Sequence, residues 1–197
     1  GFGGNDSSIV FASPKTTAQT EKYNINIKPV YINGTGCVSP FEFDSQSSEE
    51  EIDKPYFQIV KPNYKEYINP KVLRRMSKIV RMGIVSSSQA LAEAAIEKPD
   101  AIITATGMGC QADTEKFLNS MIDNGEELLT PTSFIQSTHN TVGGSIALGQ
   151  QNNGYNLTYV HRTFSFESAL IDSILKLNAN EAQNVLLGGF DEITYES

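Results

Sequence analysis

Several features that would announce a function are scarce or missing in this sequence. Its 197 residues hold two cysteines, Cys37 and Cys110, and two histidines, His139 and His161. Two cysteines so far apart make neither a disulfide framework nor a metal-ligand cluster, so the expectation is a reducing, cytoplasmic setting with no metal and no cofactor. Cations are in the minority: 15 Lys and Arg stand against 23 Asp and Glu, a formal charge of -8. Non-specific nucleic-acid binding needs many Lys and Arg contacts to phosphate, which argues against a nucleic-acid partner. No run approaches the roughly 18 apolar residues of a membrane span. Residues 1–26 are rich in Ser, Thr, Asn and Gly and lack the apolar core of a secretory signal, so they read as a flexible tail with a short strand at Ser8–Ala12. There is no Walker loop, HExxH, CxxC or GxSxG.

What is present has the rhythm of an α/β domain over residues 27–197. Ile27–Ile32 is β-prone and runs into the glycine-rich Asn33–Gly36, which reads as strand then turn. Asp44–Asp53 carries five acidic residues and reads as a solvated loop, and the aromatic-rich Pro55–Ile68 as an extended segment on the core surface. Asn69 is a good N-cap and Pro70 suits the first helical position. Val72, Leu73, Met76, Ile79, Val80 and Ile84 then recur at helical spacing, and the pattern continues to Ile96 before Pro99, predicting one long helix. Ala101–Ala105 reads as a buried strand ending in the turn Thr106-Gly-Met-Gly109, followed by a helix over Thr114–Asn124. Gly143-Gly144 is expected to interrupt any helix before Ser145–Leu148. A strand at Leu157–Val160, a helix from about Phe164 to Leu177 and a short strand at Val185–Leu187 complete the series. This order predicts a mixed, mostly parallel sheet between helix layers. Gly109 is not followed by the third glycine of a dinucleotide fingerprint, so the turn after the first of these buried strands reads as a tight connection.

Taken together, the segments resemble the N-terminal half of the β-ketoacyl synthases of the thiolase superfamily. The resemblance is carried by Val30-Tyr-Ile-Asn-Gly-Thr-Gly-Cys-Val-Ser-Pro40, Arg74-Arg-Met-Ser77, Thr106-Gly-Met-Gly-Cys-Gln-Ala-Asp-Thr114, Phe134–Leu148, Gly154-Tyr-Asn156 and Leu186-Leu-Gly-Gly-Phe-Asp191. Tyr155 departs from the family's usual proline. In that family a cysteine nucleophile starts the helix after a strand. Nine residues on from Gly154 and 25 back from Gly188 both reach Thr163, within His161-Arg-Thr-Phe-Ser165. The nucleophile cysteine is therefore missing. A threonine hydroxyl does not ionise near neutrality as a thiol does, and a helix dipole worth about a kcal/mol or two does not bridge that gap.

The resemblance implies a ketosynthase-like subunit of fatty-acid or polyketide-type biosynthesis, non-condensing, that shapes an acyl site beside an active partner synthase. Chain-length-factor subunits play that part in the family. The two alternatives are acyl transfer on an atypical hydroxyl, Thr163 or more weakly Ser165, and a purely structural domain. His161, Arg162, Phe164 and Phe166 are the candidate pocket residues; Arg162 and Glu167 flank the junction as a pair or as two separate charges. His139 falls in the segment the family uses for dimerisation. The resemblance implies a homodimer or heterodimer through Leu157–Val160 and Phe134–Leu148. Arg74, Lys78 and Arg81, spaced for one helix face, are candidates to dock an acidic acyl carrier protein. The family's two catalytic histidines come from its C-terminal half. The chain is thus expected to be a fragment or to meet that half on another chain.

Overall fold

The computed structural model describes residues 27–39 and 59–194. The expected tail with its Ser8–Ala12 strand, the Asp44–Asp53 loop and the start of the Pro55–Ile68 segment lie outside the described residues. Among the described residues, six helices and three strands follow in order: α1 (Pro70–Leu73), α2 (Lys78–Glu93), β1 (Ala101–Thr106), α3 (Gln111–Asp123), α4 (Pro131–Ser137), α5 (Thr141–Gly149), β2 (Tyr155–Val160), α6 (Ser165–Asn178) and β3 (Val185–Gly189). The strands form one parallel sheet in the order β2-β1-β3, with Ala101 opposite both Tyr155 and Val185.

β1 is central, and every one of its residues is buried, as its unbroken small and apolar run requires. Its side chains alternate between two cores. Ile102 packs with Ile79 and Val80 of α2 and with Val142 and Ile146 of α5. Ile103 and Ala105 face the other way, onto Ala169 of α6. Each fully buried isoleucine contributes about 2 kcal/mol from the area removed from water. The sheet thus lies between helix layers, as expected for an α/β domain. Small residues at Ala169 and Ser173 let α6 sit close to it.

Four local expectations are corrected. The long helix is two: α1 stops at Leu73, and Ser77 is extended (φ -67°, ψ 164°) before α2 begins. Apolar spacing stays in phase across the break, so periodicity does not reveal it; the Gln136 side chain of α4 donates to the Arg75 carbonyl within the turn. The cap at Asn69 is as expected, its side chain accepting from Lys71 N at 2.9 Å.

Gly143-Gly144 does not interrupt a helix, because α5 runs through both. A Cβ on Gly143 would stand 3.0 Å from Thr104 Oγ1 and 3.1 Å from Asn156 Oδ1, so the glycine permits close helix-on-sheet approach. Asn156 Nδ2 donates to the Gly143 carbonyl across this contact at 2.9 Å.

Ile27–Ile32 is not a strand. Tyr31 and Ile32 are exposed, and the segment crosses the end of α6, where Lys28 N donates to Asn178 Oδ1 at 2.6 Å. Thr35 N and Oγ1 both donate to Glu93, and Gly34 and Gly36 lie so close to α2 that a Cβ on either would overlap a helix carbonyl. Its β-prone residues meet no strand edge among the described residues, so tertiary context overrides propensity. Finally, the described end of the aromatic stretch is not extended throughout: Tyr64–Glu66 forms a 3-10 turn, with Ile68 buried behind it.

Candidate functional site

The chain leaves β1 toward the α2/α5 face, where Cys110 is buried in that core, and leaves β2 toward α6 on the opposite face. Loops that diverge from adjacent parallel strands open a crevice at the carboxyl edge of the sheet, the usual place for a ligand in such folds. Three segments meet there: the turn Thr106–Gly109, the junction His161–Ser165 and Asp191 just past β3.

The junction is a tight elbow. Arg162–Phe164 forms a 3-10 turn running directly into α6, and Arg162 has φ +55°. A bulky residue in the left-handed region is uncommon and is held there by its surroundings. Ser165 does much of the holding. It is 3% exposed, its Oγ accepts from His161 N at 2.8 Å, and it faces the Thr106 carbonyl at 2.7 Å and the Arg162 carbonyl at 3.2 Å. Thr163 is exposed, and its hydroxyl makes no hydrogen bond to a described residue. Nor does it cap α6, whose N-cap is Phe164.

Around the elbow, Phe164 is 66% and Phe166 47% exposed, and His161 stacks on Tyr159 with centroids 6.0 Å apart. Arg162 and Glu167 stand as two separate charges; the ion pair among the described residues is Lys176 with Glu181.

Asp191 organises the facing turn. Its carboxylate accepts from Thr106 Oγ1 at 2.9 Å and from the backbone N–H groups of Gly107 and Met108 at 3.0–3.1 Å. Thr106 Oγ1 in turn accepts from Gly109 N at 2.8 Å. Gly109 has φ +76°, and a Cβ there would meet the His139 ring at 2.6 Å, so glycine is required twice over. His139 therefore packs on this turn. Glu192 continues the strap, accepting from Ala112 N at 3.0 Å at the start of α3. Burial pushes the Glu192 carboxyl up, as it does the neighbouring Asp113. The structural roles of Asp191 and of the Ser165–Thr106 bridge are not visible in the sequence, because the partners lie far apart in the chain.

Neither cysteine stands at the elbow. Cys110 is fully buried beside α3, and burial pushes its thiol up to about 12, with the Glu192 and Asp113 carboxylates adding to the rise. Such a thiol is not a nucleophile near neutrality. Cys37 is exposed on the segment that crosses α2.

The profile of the family described as "Beta-ketoacyl synthase, N-terminal domain" matches residues 49–196. The chain belongs to this family. Solved structures agree at the level of the fold. A ketosynthase in complex with its chain length factor from Xenorhabdus doucetiae superimposes at TM-score 0.57 with 19% identity, over 69% of this chain and 53% of that one. The ishigamide ketosynthase/chain length factor gives 0.60 at 18% identity, over 68% and 39%. A type II polyketide acyl-carrier protein in complex with its ketosynthase bound to the hexaketide gives 0.66 at 14% identity, over 83% and 51%. No curated protein matches significantly. The chain spans about half or less of the length of these solved relatives.

In this ketoacyl synthase domain the basic residues are arranged differently from the expected helix face. Arg74 lies in the turn between α1 and α2, Lys78 opens α2, and Arg81 has a buried Nε. The three do not share one helix, because the break at 74–77 separates them. Lys71, Arg74 and Arg75 instead surround an open surface pocket of about 440 Å³ with Pro70 at its wall. β2 is an edge strand among the described residues, with Leu157 and Val160 each close to 40% exposed. Among the described residues no group of three His, Cys, Asp or Glu is arranged to hold a metal, and no helix is long and apolar enough to cross a membrane.

Proposed function

We propose that this chain is part of a non-condensing, ketosynthase-like subunit of polyketide or fatty-acid-type biosynthesis. In this reading it pairs with an active ketosynthase and shapes the acyl site, as a chain length factor would, in the cytoplasm. The observation that carries the reading is the exposed Thr163 at the strand-to-helix elbow, at the position that the resemblance assigns to the family's thiolate. Condensation needs a group that ionises near neutrality and leaves as a good thioester acyl carrier, and a threonine supplies neither.

The remaining parts of the reading have structural support of their own. The open edge of β2, with exposed Leu148 and Ile135 in the neighbouring helices, offers a surface for dimerisation with the synthase. Helix α6 exposes Phe166, Leu170, Ile171 and Leu175, an apolar face suited to a second half-domain. Lys71, Arg74 and Arg75 around their pocket are better placed than Lys78 and Arg81 to meet an acidic carrier protein. Co-expression with an active ketosynthase tests the reading: the two should co-purify, and removing this protein should change product length. Unchanged product length rejects it.

Acyl transfer to a hydroxyl is the second reading, and the geometry favours Thr163 over Ser165, whose oxygen is committed to three backbone groups. Intact mass after incubation with acyl thioesters decides it, since an adduct must disappear in Thr163→Ala. A purely structural domain with Arg162, Phe164 and Phe166 filling the old pocket draws no support from the exposure of both phenylalanines.

A further inference from the structure

We infer that Ser165 is a positioning residue, which holds the backbone of Arg162 in its left-handed conformation and so aims whatever side chain stands at position 163 into the crevice. The inference rests on the reading of position 163 as the family's nucleophile position.

Three observations carry it. The Ser165 hydroxyl sits where the ends of β1 and β2 meet: it accepts from His161 N at the end of β2, and its single proton lies between the carbonyls of Thr106, the last residue of β1, and Arg162. It is 3% exposed, so these groups have no water to replace it. Arg162, immediately before position 163, carries φ +55° without being glycine. Left-handed backbone at such a residue costs about 1–2 kcal/mol and persists only where the surroundings over-determine it. The Ser165 bridge accepts from the residue before Arg162 and contacts the carbonyl after it, so it spans the strained dihedral. Thr106 also passes the constraint on, because its hydroxyl donates to Asp191. The elbow is therefore pre-organised even though no thiol is mounted on it.

The test mounts one. In the full chain carrying Thr163→Cys, alkylation by iodoacetamide is followed at three thiols by peptide mass spectrometry, between about pH 6 and 10. Exposed Cys37 is the internal reference, and buried Cys110 reports unfolding. The thiol introduced at 163 should react about tenfold faster than Cys37 near pH 7, as expected for a thiol fixed at the start of a helix. Adding Ser165→Ala should bring it to within about twofold of Cys37 while Cys110 stays protected. Adding Arg162→Gly to that double variant should restore most of the rate, because glycine takes the left-handed backbone without strain.

The failures are distinguishable. If the thiol at 163 is no faster than Cys37 from the outset, the reading of position 163 falls and this inference with it. If it is fast but indifferent to Ser165→Ala, or if Arg162→Gly does not restore the rate, the inference alone is overturned. Should Ser165→Ala expose Cys110, the isosteric pair Ser165→Thr and Ser165→Val repeats the comparison. A fast thiol beside threonine and a slow one beside valine supports the positioning role, and equal rates overturn it.

Discussion

The carboxylate of Asp191 accepts the Thr106 hydroxyl hydrogen bond at 2.9 Å, and the residue that ends β1 is thereby tied to the one that follows β3. The same carboxylate closes over the N–H groups of Gly107 and Met108, so the turn on one side of the crevice is shaped by a residue more than 80 positions away.

Replacing Asp191 should therefore loosen the turn. Asp191→Ala leaves three donors without their charged acceptor; Thr106 is buried, but at the exposed Gly107 and Met108 bonds water recovers part of the loss. A destabilisation of about 1–2 kcal/mol is expected by urea denaturation. Asp191→Asn, which keeps one acceptor oxygen, should cost less.

The two adjacent glycines of α5 should respond with opposite sign. Gly143→Ala pushes a methyl group against Thr104 and Asn156 and should destabilise by about 1–3 kcal/mol. Gly144 has open space around its Cβ position, so Gly144→Ala should be neutral or stabilise by up to about 1 kcal/mol through helix propensity. Thermal melts of the two single variants check this. Equal effects would mean that α5 does not approach the sheet as closely as described.

The pH dependence at the alkaline end follows from Cys110. Its thiol is raised from 9.0 to about 12 in the fold, so the folded state holds the proton more tightly than the unfolded chain. That contribution is fully present below pH 9 and is lost as pH rises from 9 toward 12, with a limiting slope of about 1.4 kcal/mol per pH unit. Tyr155, also raised to about 12 by burial and by its hydrogen bond to Asp172, acts in the same direction. Denaturation at a series of alkaline pH values should show a shallower decline in Cys110→Ala than in the parent. An unchanged slope would place the decline on the tyrosines.

Charge reversal at the basic pocket bears on the partner. The variant Arg74→Glu/Arg75→Glu should weaken binding of an acidic acyl carrier protein by about tenfold at low salt, with the difference shrinking as ionic strength rises. Its melting temperature should stay close to the parent's, because both side chains are exposed. Titration calorimetry at two salt concentrations is sufficient to see it.

Much of the fold was legible along the chain. β1 declared itself as a buried strand at Ala101–Ala105, and α6 as a helix from about Phe164 to Leu177. What escaped was whatever depended on a neighbour. The break at 74–77 leaves the apolar spacing in phase and is visible only in the folded backbone, where Ser77 is extended and Gln136 reaches the Arg75 carbonyl. Gly143-Gly144 looks like a breaker until Thr104 and Asn156 are placed beside it. The β-prone Ile27–Ile32 had no strand edge to join among the described residues.

The sequence by itself determined the family and put a threonine, which cannot supply a thiolate, at position 163, because residue identity is local information. Only the tertiary structure decided what the neighbouring residues do. Ser165, which from the sequence is an alternative acyl acceptor, becomes a buried bridge between strand ends, and Asp191 becomes the clamp on a distant turn. The Ser165–Thr106 bridge and the Asp191 clamp are hydrogen bonds between residues far apart in the chain, and their geometry exists only once the parallel strands are brought into register.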